Sequence, residues 1–502
     1  MVVAYKRLMR DVVSLLGANS RDAAIFADDV FGYEQRLAFI TPERSELATR
    51  GPSLVTLGDL KMTTQSLLVQ DILSALFPRA RINDSTKILL SSPFYISHLS
   101  VVISATDRSI LNNYLIWTMV REYLPYMSDP FTHVLHEYTS HLTGSSYQPP
   151  RWEFCTSLLY KTLPLAVNAI VENCTDRQIN NDFKHSTIQN IFAAIKISTS
   201  NKIKKAHWIN RVLKTHLLQK VDVMTLEVEL PLFTLQPAYL KEHYSSLLIQ
   251  KHDLFQNVRF GFDFARDRMQ LTFLSSLKSE ERLIPPSPDM MSVKYYESRN
   301  AIVVPRLLAN PPYYHPNYPI SIQYGRLGVQ ISIALAGVIL SAEPLQMPDV
   351  RVDSHLSPVD ESIEKYVRQA TNLSQHCLQN VLQYKFGVND TIANTTKMNT
   401  LIHLSGVKIA LDAMEWRLNK DIHPNDRHEH IPGLEIYEDT AVFALSYAQD
   451  QCALESPQKN VMENFVNLQL QKKTLFEATW SQVNKFKEYL DCSKSKLCAE
   501  VL

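Results

Sequence analysis

Residues 324–340 read Tyr324-Gly-Arg-Leu-Gly-Val-Gln-Ile-Ser-Ile-Ala-Leu-Ala-Gly-Val-Ile-Leu340, and where this stretch sits relative to solvent decides the fold class. From Val329 to Ala342 it carries no charge and is the longest apolar stretch of the chain. It nevertheless contains Gln330 and Ser332, and at 14 residues it falls short of the roughly 18 to 20 needed to cross a bilayer. A helix apolar on all sides and too short to span is the central helix of a large core. Glycine points the same way: 12 of 502 residues, about 2.4%, stand against a usual share of about 7%. Neither G-x-G-x-x-G nor G-x-x-x-x-G-K-[ST] occurs, which excludes dinucleotide and P-loop chemistry. A sandwich or propeller needs more turn glycine than this, and long helices do not. The fold class is mainly α.

At about 150 residues per domain the length suggests roughly three domain equivalents, or one large two-lobed unit. Lys+Arg and Asp+Glu both number 51, so the formal charge is zero, and no long run of one sign is read as offsetting it. That balance argues against a nucleic-acid groove or an anionic-membrane surface as the main function. The start, MVVAYKRLMRDVVSLLG, is interrupted by Lys6, Arg7, Arg10 and Asp11 and lacks the apolar core of a signal peptide. Five N-x-[ST] sequons, at Asn83, Asn173, Asn372, Asn389 and Asn394, are close to the number such a composition gives by chance and decide no compartment.

Apolar residues at three- and four-residue spacing predict helices through 1–205, for example Leu111 to Tyr123 and Leu159 to Val171. Leu226 to Leu232 alternates and predicts a short half-buried strand, with a second at Ala301 to Val304. The proline-rich run Asn310 to Pro319 is expected to be an extended connection. Helices resume near Ser321 and again over 357–490, with a looser charged segment at Asp421 to Gly433. Histidines invite a search for metal. In His133-Val-Leu-His136-Glu137-Tyr-Thr-Ser-His141, His136 and His141 are five apart, about 140° round a helix, where H-E-x-x-H needs four. His423, His428, Glu429 and His430 stand in a loop context that suits only adventitious binding. The six cysteines form no C-x-x-C pair, and no G-x-S-x-G occurs.

A family emerges from Ser292-Val-Lys-Tyr295-Tyr296, Asn300-Ala-Ile-Val-Val-Pro305, Pro311-Pro312-Tyr-Tyr314-x-Pro-Asn-Tyr-Pro319 and Tyr324-Gly325-Arg-Leu-Gly328. Tyr33-Glu34-x-x-Leu37-Ala38-x-Ile40, Asn113-Tyr114-Leu115-x-Trp117 and Arg151-Trp152-x-x-Cys155 precede these motifs in the same pattern. Ser405-Gly406-Val407-Lys408, Pro432-Gly433-Leu434, Phe443-x-Leu445-Ser446-Tyr447-Ala448-Gln449 and Lys496-x-Cys498 follow them. In this order the motifs resemble the neprilysin and endothelin-converting-enzyme family of zinc metallopeptidases over almost the whole chain. The resemblance implies two helical lobes around a central cavity, the second thermolysin-like with a small β element. It divides the chain into an N-terminal lobe over 1–205, incomplete at its start, a connecting segment with a short strand over 206–290, and a degenerate catalytic lobe over 291–502. Members of the family are longer at the N-terminus, where they carry a membrane anchor, and the resemblance implies an extracellular or cell-surface location.

The chemistry of the family does not carry over. Counting on from Tyr324-Gly325-Arg-Leu-Gly328, its H-E-x-x-H falls on Ile333-Ala334-Leu-Ala-Gly337, so the ligand positions are Ile333 and Gly337 and the general-base position is Ala334. The third ligand falls on Asn399 and its neighbouring aspartate on His403. The residues that steady the transition state fall near Asn460 and on Phe465 or Val466, and the asparagine that grips substrate backbone becomes Val293. Ile and Gly offer zinc no lone pair, and Ala cannot take a proton from bound water. The expectation is therefore a pseudopeptidase without zinc or any other cofactor, binding peptides or a protein partner or serving a structural role, and not nucleic acid. Two alternatives stay open: an active zinc endopeptidase with relocated ligands, for instance at His315 and His403, and a truncated family member. The resemblance also pairs Cys377 with Cys498. It places the partners of Cys155 and Cys452 in the missing N-terminal part and gives no counterpart for Cys174 and Cys492.

Overall fold

The structure, a computed structural model, describes residues 1–42, 53–175, 181–228, 234, 236–274, 292–296, 300–340, 371–421, 432–454, 456–462, 470–486 and 497–498. It is mainly helical, as the glycine count predicts, and forms two compact units. One comprises Met1–Ala169, Leu232–Pro288 and Ser456–Lys459; the other comprises Ile170–Pro231, Asp289–Glu455 and Asn460–Leu502. Residues 170–205, which the sequence places with the first lobe, thus lie in the second unit, and the connecting segment is divided between the two.

In the first unit, helix α1 (Val2–Leu15) buries Leu8, Met9 and Val12, and α2 (Ser20–Ile40) buries Ala23, Ala27, Val30 and Tyr33 at three- and four-residue spacing. The Asn19 side chain caps α2 by accepting from the Asp22 N–H at 2.9 Å. These faces close on α3 (Arg108–Tyr123) and α4 (Asp129–Thr143) around the fully buried Trp117. Trp117 Nε1 donates to the Tyr5 hydroxyl at 2.9 Å, which donates to Glu34 at 3.0 Å, so the polar atoms in this core are paired. Burial is the main reason the Tyr5 hydroxyl is pushed up to about 12. The expectation of helix alone through this region is corrected by β1 (Ser53–Thr56) and β2 (Lys87–Leu90), which pair antiparallel. Four-residue strands are too short to declare a period of two.

In the second unit, α5 (Asn181–Lys205) and α6 (Arg211–Asp222) precede a three-stranded sheet of β3 (Thr225–Val228), β4 (Lys294–Tyr296) and β5 (Ala301–Val304). The order is β3-β5-β4, with β3 parallel and β4 antiparallel to β5, so that Leu226, Ile302 and Tyr295 align across it. Leu226 and Val228 point inward and Glu227 outward, as the alternation predicts; the rest of the predicted strand, 229–232, lies outside the described residues. The proline-rich run departs from the extended form expected of it. It makes turns, with Tyr313 and Tyr314 N–H donating to Asn310 O and Tyr318 N–H donating to His315 O. The φ that proline fixes suits a turn as well as an extended chain. Beyond it lie α7 (Ile320–Leu340, with a π-helical turn at Tyr324–Gly328), α8 (Asp390–Asp421), α9 (Asp439–Asp450) and α10 (Lys472–Trp480). Helix α7 is long and apolar enough to cross a membrane, but 67% of its most apolar window is buried in this unit, and it serves as the core helix. Val329, Ile331, Leu335, Val338, Ile339 and Leu340 are all buried, each contributing about 1.5–3 kcal/mol.

Candidate functional site

Helix α7 is buried on every side but one. Gln330, Ile333, Ala334 and Gly337, at spacings of three and four, form its only half-open face from Val329 to Leu340. The positions that the family resemblance assigns to two metal ligands and a general base therefore share one face, and all three carry apolar residues, with Gln330 the one polar residue beside them. Helix α8 runs antiparallel along it. A Cβ placed on Gly406 would lie 2.6 Å from Ile333 Cγ1 and 2.7 Å from both Ile333 Cα and N, so the two backbones touch there. Four residues on, a Cβ on Gly337 would meet only Ile402 Cγ2, at 3.9 Å. A glycine on α8 lets the helices close; the glycine on α7 is not needed for that. Sequence reading placed Gly406 in a motif but had no signal for this contact, because the pairing of helix faces is set by the fold.

On α8, Asn399 is exposed and His403, one turn on, is half-buried. The Nδ1 of His403 is sealed from solvent without a hydrogen-bond partner, and burial pulls the imidazole down to about 4, which leaves it neutral at physiological pH. Beside the same face of α7, Gln330 Nε2 donates to Asp450 on α9 at 2.8 Å. Burial raises the Asp450 carboxyl, an effect that this hydrogen bond partly offsets.

The other predicted positions are scattered. Val293 is half-buried against the main core just before β4, the edge strand of the sheet. Asn460 is on the short helix Pro457–Met462 with its Oδ1 sealed and unpartnered, while Phe465 and Val466 lie outside the described residues. His133 stands 3.5 Å from Glu137 on α4, and the cluster at 423–430 lies outside the described residues. His315 Nδ1 accepts from the Asn317 N–H at 3.1 Å. Among the described residues, no three His, Cys, Asp or Glu side chains gather closely enough to hold a metal ion. Cys377 and Cys498 form a disulfide that closes 121 residues of chain. Cys155 is half-buried and Cys452 exposed, both as free thiols; the side chains of Cys174 and Cys492 lie outside the described residues.

Comparison with known proteins agrees with this fold. The chain is 23% identical over 478 residues to neprilysin-2 of Caenorhabditis elegans, a match covering 90% of this chain and 61% of the relative. It is 24% identical over 470 residues to endothelin-converting enzyme 1 of Bos taurus, covering 91% of this chain and 59% of the relative. The chain thus spans about three fifths of the length of these curated relatives. Among solved structures, the zinc metalloprotease ZMP1 of Mycobacterium tuberculosis in complex with an inhibitor superposes with a TM-score of 0.78 at 19% identity. That match covers 98% of this chain and 71% of the other, and it shows the fold. Two models described as peptidase family M13, one for the N-terminal part and one for the peptidase part, match residues 1–231 and 294–500, and the chain belongs to peptidase family M13.

Proposed function

We propose that this chain is a catalytically silent M13 homologue that binds a peptide or protein partner or serves a structural role. The observation that carries the reading is the half-open face of α7, where Ile333, Ala334 and Gly337 stand at the spacing that metal and proton-transfer chemistry would need. Zinc requires imidazole, carboxylate or thiolate donors, usually three from the protein. Ile333 and Gly337 supply none, Ala334 has no proton to exchange, and Asn399 has only an amide where a carboxylate would serve. His403 is the one imidazole on that turn of α8, and one donor does not make a site. The residues at these positions do not fit zinc. Filling the face with apolar side chains also avoids the cost, on the order of a few kcal/mol, of sealing ionisable ligands without their metal.

Edge strand β4 follows Val293, so any grip on an extended peptide there rests on main-chain groups without a side-chain amide. A location outside the cell or at its surface fits the Cys377–Cys498 disulfide, which persists in oxidising compartments.

Rebuilding the donor set tests the placement. The triple variant Ile333→His, Ala334→Glu, Gly337→His is expected to bind zinc weakly, and adding Asn399→Glu to tighten it at least tenfold, as about 1.4 kcal/mol from a third ligand would. Nanomolar zinc binding by the triple variant, measured by competition with a chelating dye, would show that the third ligand is elsewhere.

A further inference from the structure

The chain is neutral as a whole, but its charge is not evenly spread. Between Phe183 and Val221 there are eight Lys or Arg residues and not one Asp or Glu. This is a run of one sign that a reading by net charge passes over, because neutral and apolar residues separate the cations.

The structure sorts these cations by use. Lys196 Nζ is spent on the backbone oxygens of Asp222 and Met224, and Lys202 pairs with Asp412 of α8 at 2.8 Å. Lys184 and Lys220 are buried. Lys204 and Lys205, at the end of α5, and Arg211, at the start of α6, are exposed and make no ion pair among the described residues. Lys214 of α6 reaches back to donate to Lys204 O at 2.8 Å and Ala206 O at 3.0 Å. That tie brings the end of α5 beside the first turns of α6 and adds a fourth positive charge to the corner, next to the exposed ring of His207. On α8, Asp412 is paired with Lys202 and Glu415 with Lys485.

We propose that the corner formed by Lys204, Lys205, His207, Arg211 and Lys214 is a docking surface for a linear sulfated polysaccharide. The chemistry of the surroundings selects that partner among polyanions. Among the described side chains from 201 to 222 every exposed one is polar or charged, with Asn201, Asn210, Thr215 and Gln219 between the cations, and Asp222 at the far end of α6 is the only acid in that stretch. An anionic membrane would need a group of apolar side chains to insert, and among the described side chains from 201 to 222 none is exposed; Val223, just past α6, is a single exposed one. A single-stranded nucleic acid would need an exposed aromatic platform, and Trp208 is half-buried against the core. A duplex would need a basic field over a whole face, whereas the exposed cations of this run without an ion pair among the described residues are three, Lys204, Lys205 and Arg211, at one corner. Short-spaced sulfates and hydroxyls need fixed cations with neutral hydrogen-bonding groups between them, and this corner has both. The proposal stands whether or not the α7 face is catalytically silent.

Binding of a fluorescein-labelled heparin dodecasaccharide, followed by anisotropy at physiological salt, tests it on the full chain. Lys204→Gln/Lys205→Gln/Arg211→Gln is expected to bind at least about tenfold more weakly and with a shallower salt dependence. Arg79→Gln/Arg81→Gln/Lys251→Gln, which removes the same charge at exposed sites of the other unit, is expected to stay within about twofold of the unmodified chain. If the triple variant unfolds, as judged by its thermal transition, Lys204→Gln/Lys205→Gln takes its place with a smaller loss in the same direction. The proposal is overturned if the unmodified chain does not bind the dodecasaccharide, or if both triple variants weaken equally. It is also overturned if a DNA duplex, or vesicles of equal parts phosphatidylcholine and phosphatidylserine, bind as tightly as the saccharide.

Discussion

The contact of α7 with α8 makes opposite predictions for two glycines, one on each helix, that lie about one turn apart along it. Alanine is favoured over glycine within a helix by about 1 kcal/mol, and that gain is available at both Gly337 and Gly406. At Gly337 the new methyl would find its nearest neighbour, Ile402 Cγ2, at 3.9 Å, an ordinary van der Waals distance. Gly337→Ala is therefore expected to stabilise the protein by about 0.5–1 kcal/mol. At Gly406 the methyl would lie 2.6–2.7 Å from three atoms of Ile333, two of them backbone. Turning the Ile333 side chain relieves one of these contacts; the other two require the helices to separate by roughly 1 Å, since carbon atoms pack at about 3.5–4.0 Å. Overpacking costs about 1–3 kcal/mol, and contacts with two backbone atoms place this case at about 2–3 kcal/mol, so after the propensity gain of about 1 kcal/mol Gly406→Ala is expected to lose about 1–2 kcal/mol. Urea denaturation of both variants, with the midpoint and slope fitted together, measures the difference. Combining Gly406→Ala with Ile333→Ala should recover little of the loss, because the backbone contacts remain. The packing described here would be refuted if Gly406→Ala proved as stable as the unmodified chain, or if Ile333→Ala rescued it fully.

Replacing Cys377 by Ser opens a loop of 121 residues and is expected to cost about 4–5 kcal/mol if the disulfide acts through the entropy of the unfolded chain; a midpoint unchanged by the substitution under oxidising conditions would contradict that. His403 has a pKa lowered by burial to about 4 in the folded state, below its unfolded value near 6.5, so the unfolded state binds the extra proton first. Stability contributed by the neutral imidazole is then intact above about pH 6.5 and falls, on the order of a few kcal/mol in all, as the pH drops towards 4. His403→Leu should flatten the fall between those values, read as the difference between two melting-temperature profiles so that the carboxylates common to both cancel; two parallel profiles would contradict the burial of this ring.

The parts of the fold that the sequence made legible are those in which one residue type repeats at one period. Helix α7 was readable because its apolar side chains leave no polar face, and β5 because Ala301 to Val304 is apolar and ends at a proline. The antiparallel pair of β1 and β2 was not, since four residues cannot establish an alternation. The parallel pairing of β3 with β5 joins segments about 75 residues apart, and no local pattern encodes it. The compact units divide the chain differently from the lobes read by resemblance for the same reason: α5 shows a helical period, but which core it enters depends on contacts such as Ser198 Oγ to Ile409 O at 3.1 Å. At the site, the residue types at 333, 334 and 337 were fully legible. The close approach at Gly406, the sealed Nδ1 of His403 and the convergence of cations at the α5–α6 corner needed the structure, because each joins residues that sequence distance or a net charge conceals.

Zinc content by elemental analysis of purified, extensively desalted protein, paired with a broad peptide-cleavage assay with and without chelator, tests the central claim most directly. A face built from Ile333, Ala334 and Gly337 predicts metal near zero and no chelator-sensitive cleavage. One tightly held zinc per chain, with cleavage that a chelator abolishes, would contradict it and would mean that the ligands lie elsewhere in the chain.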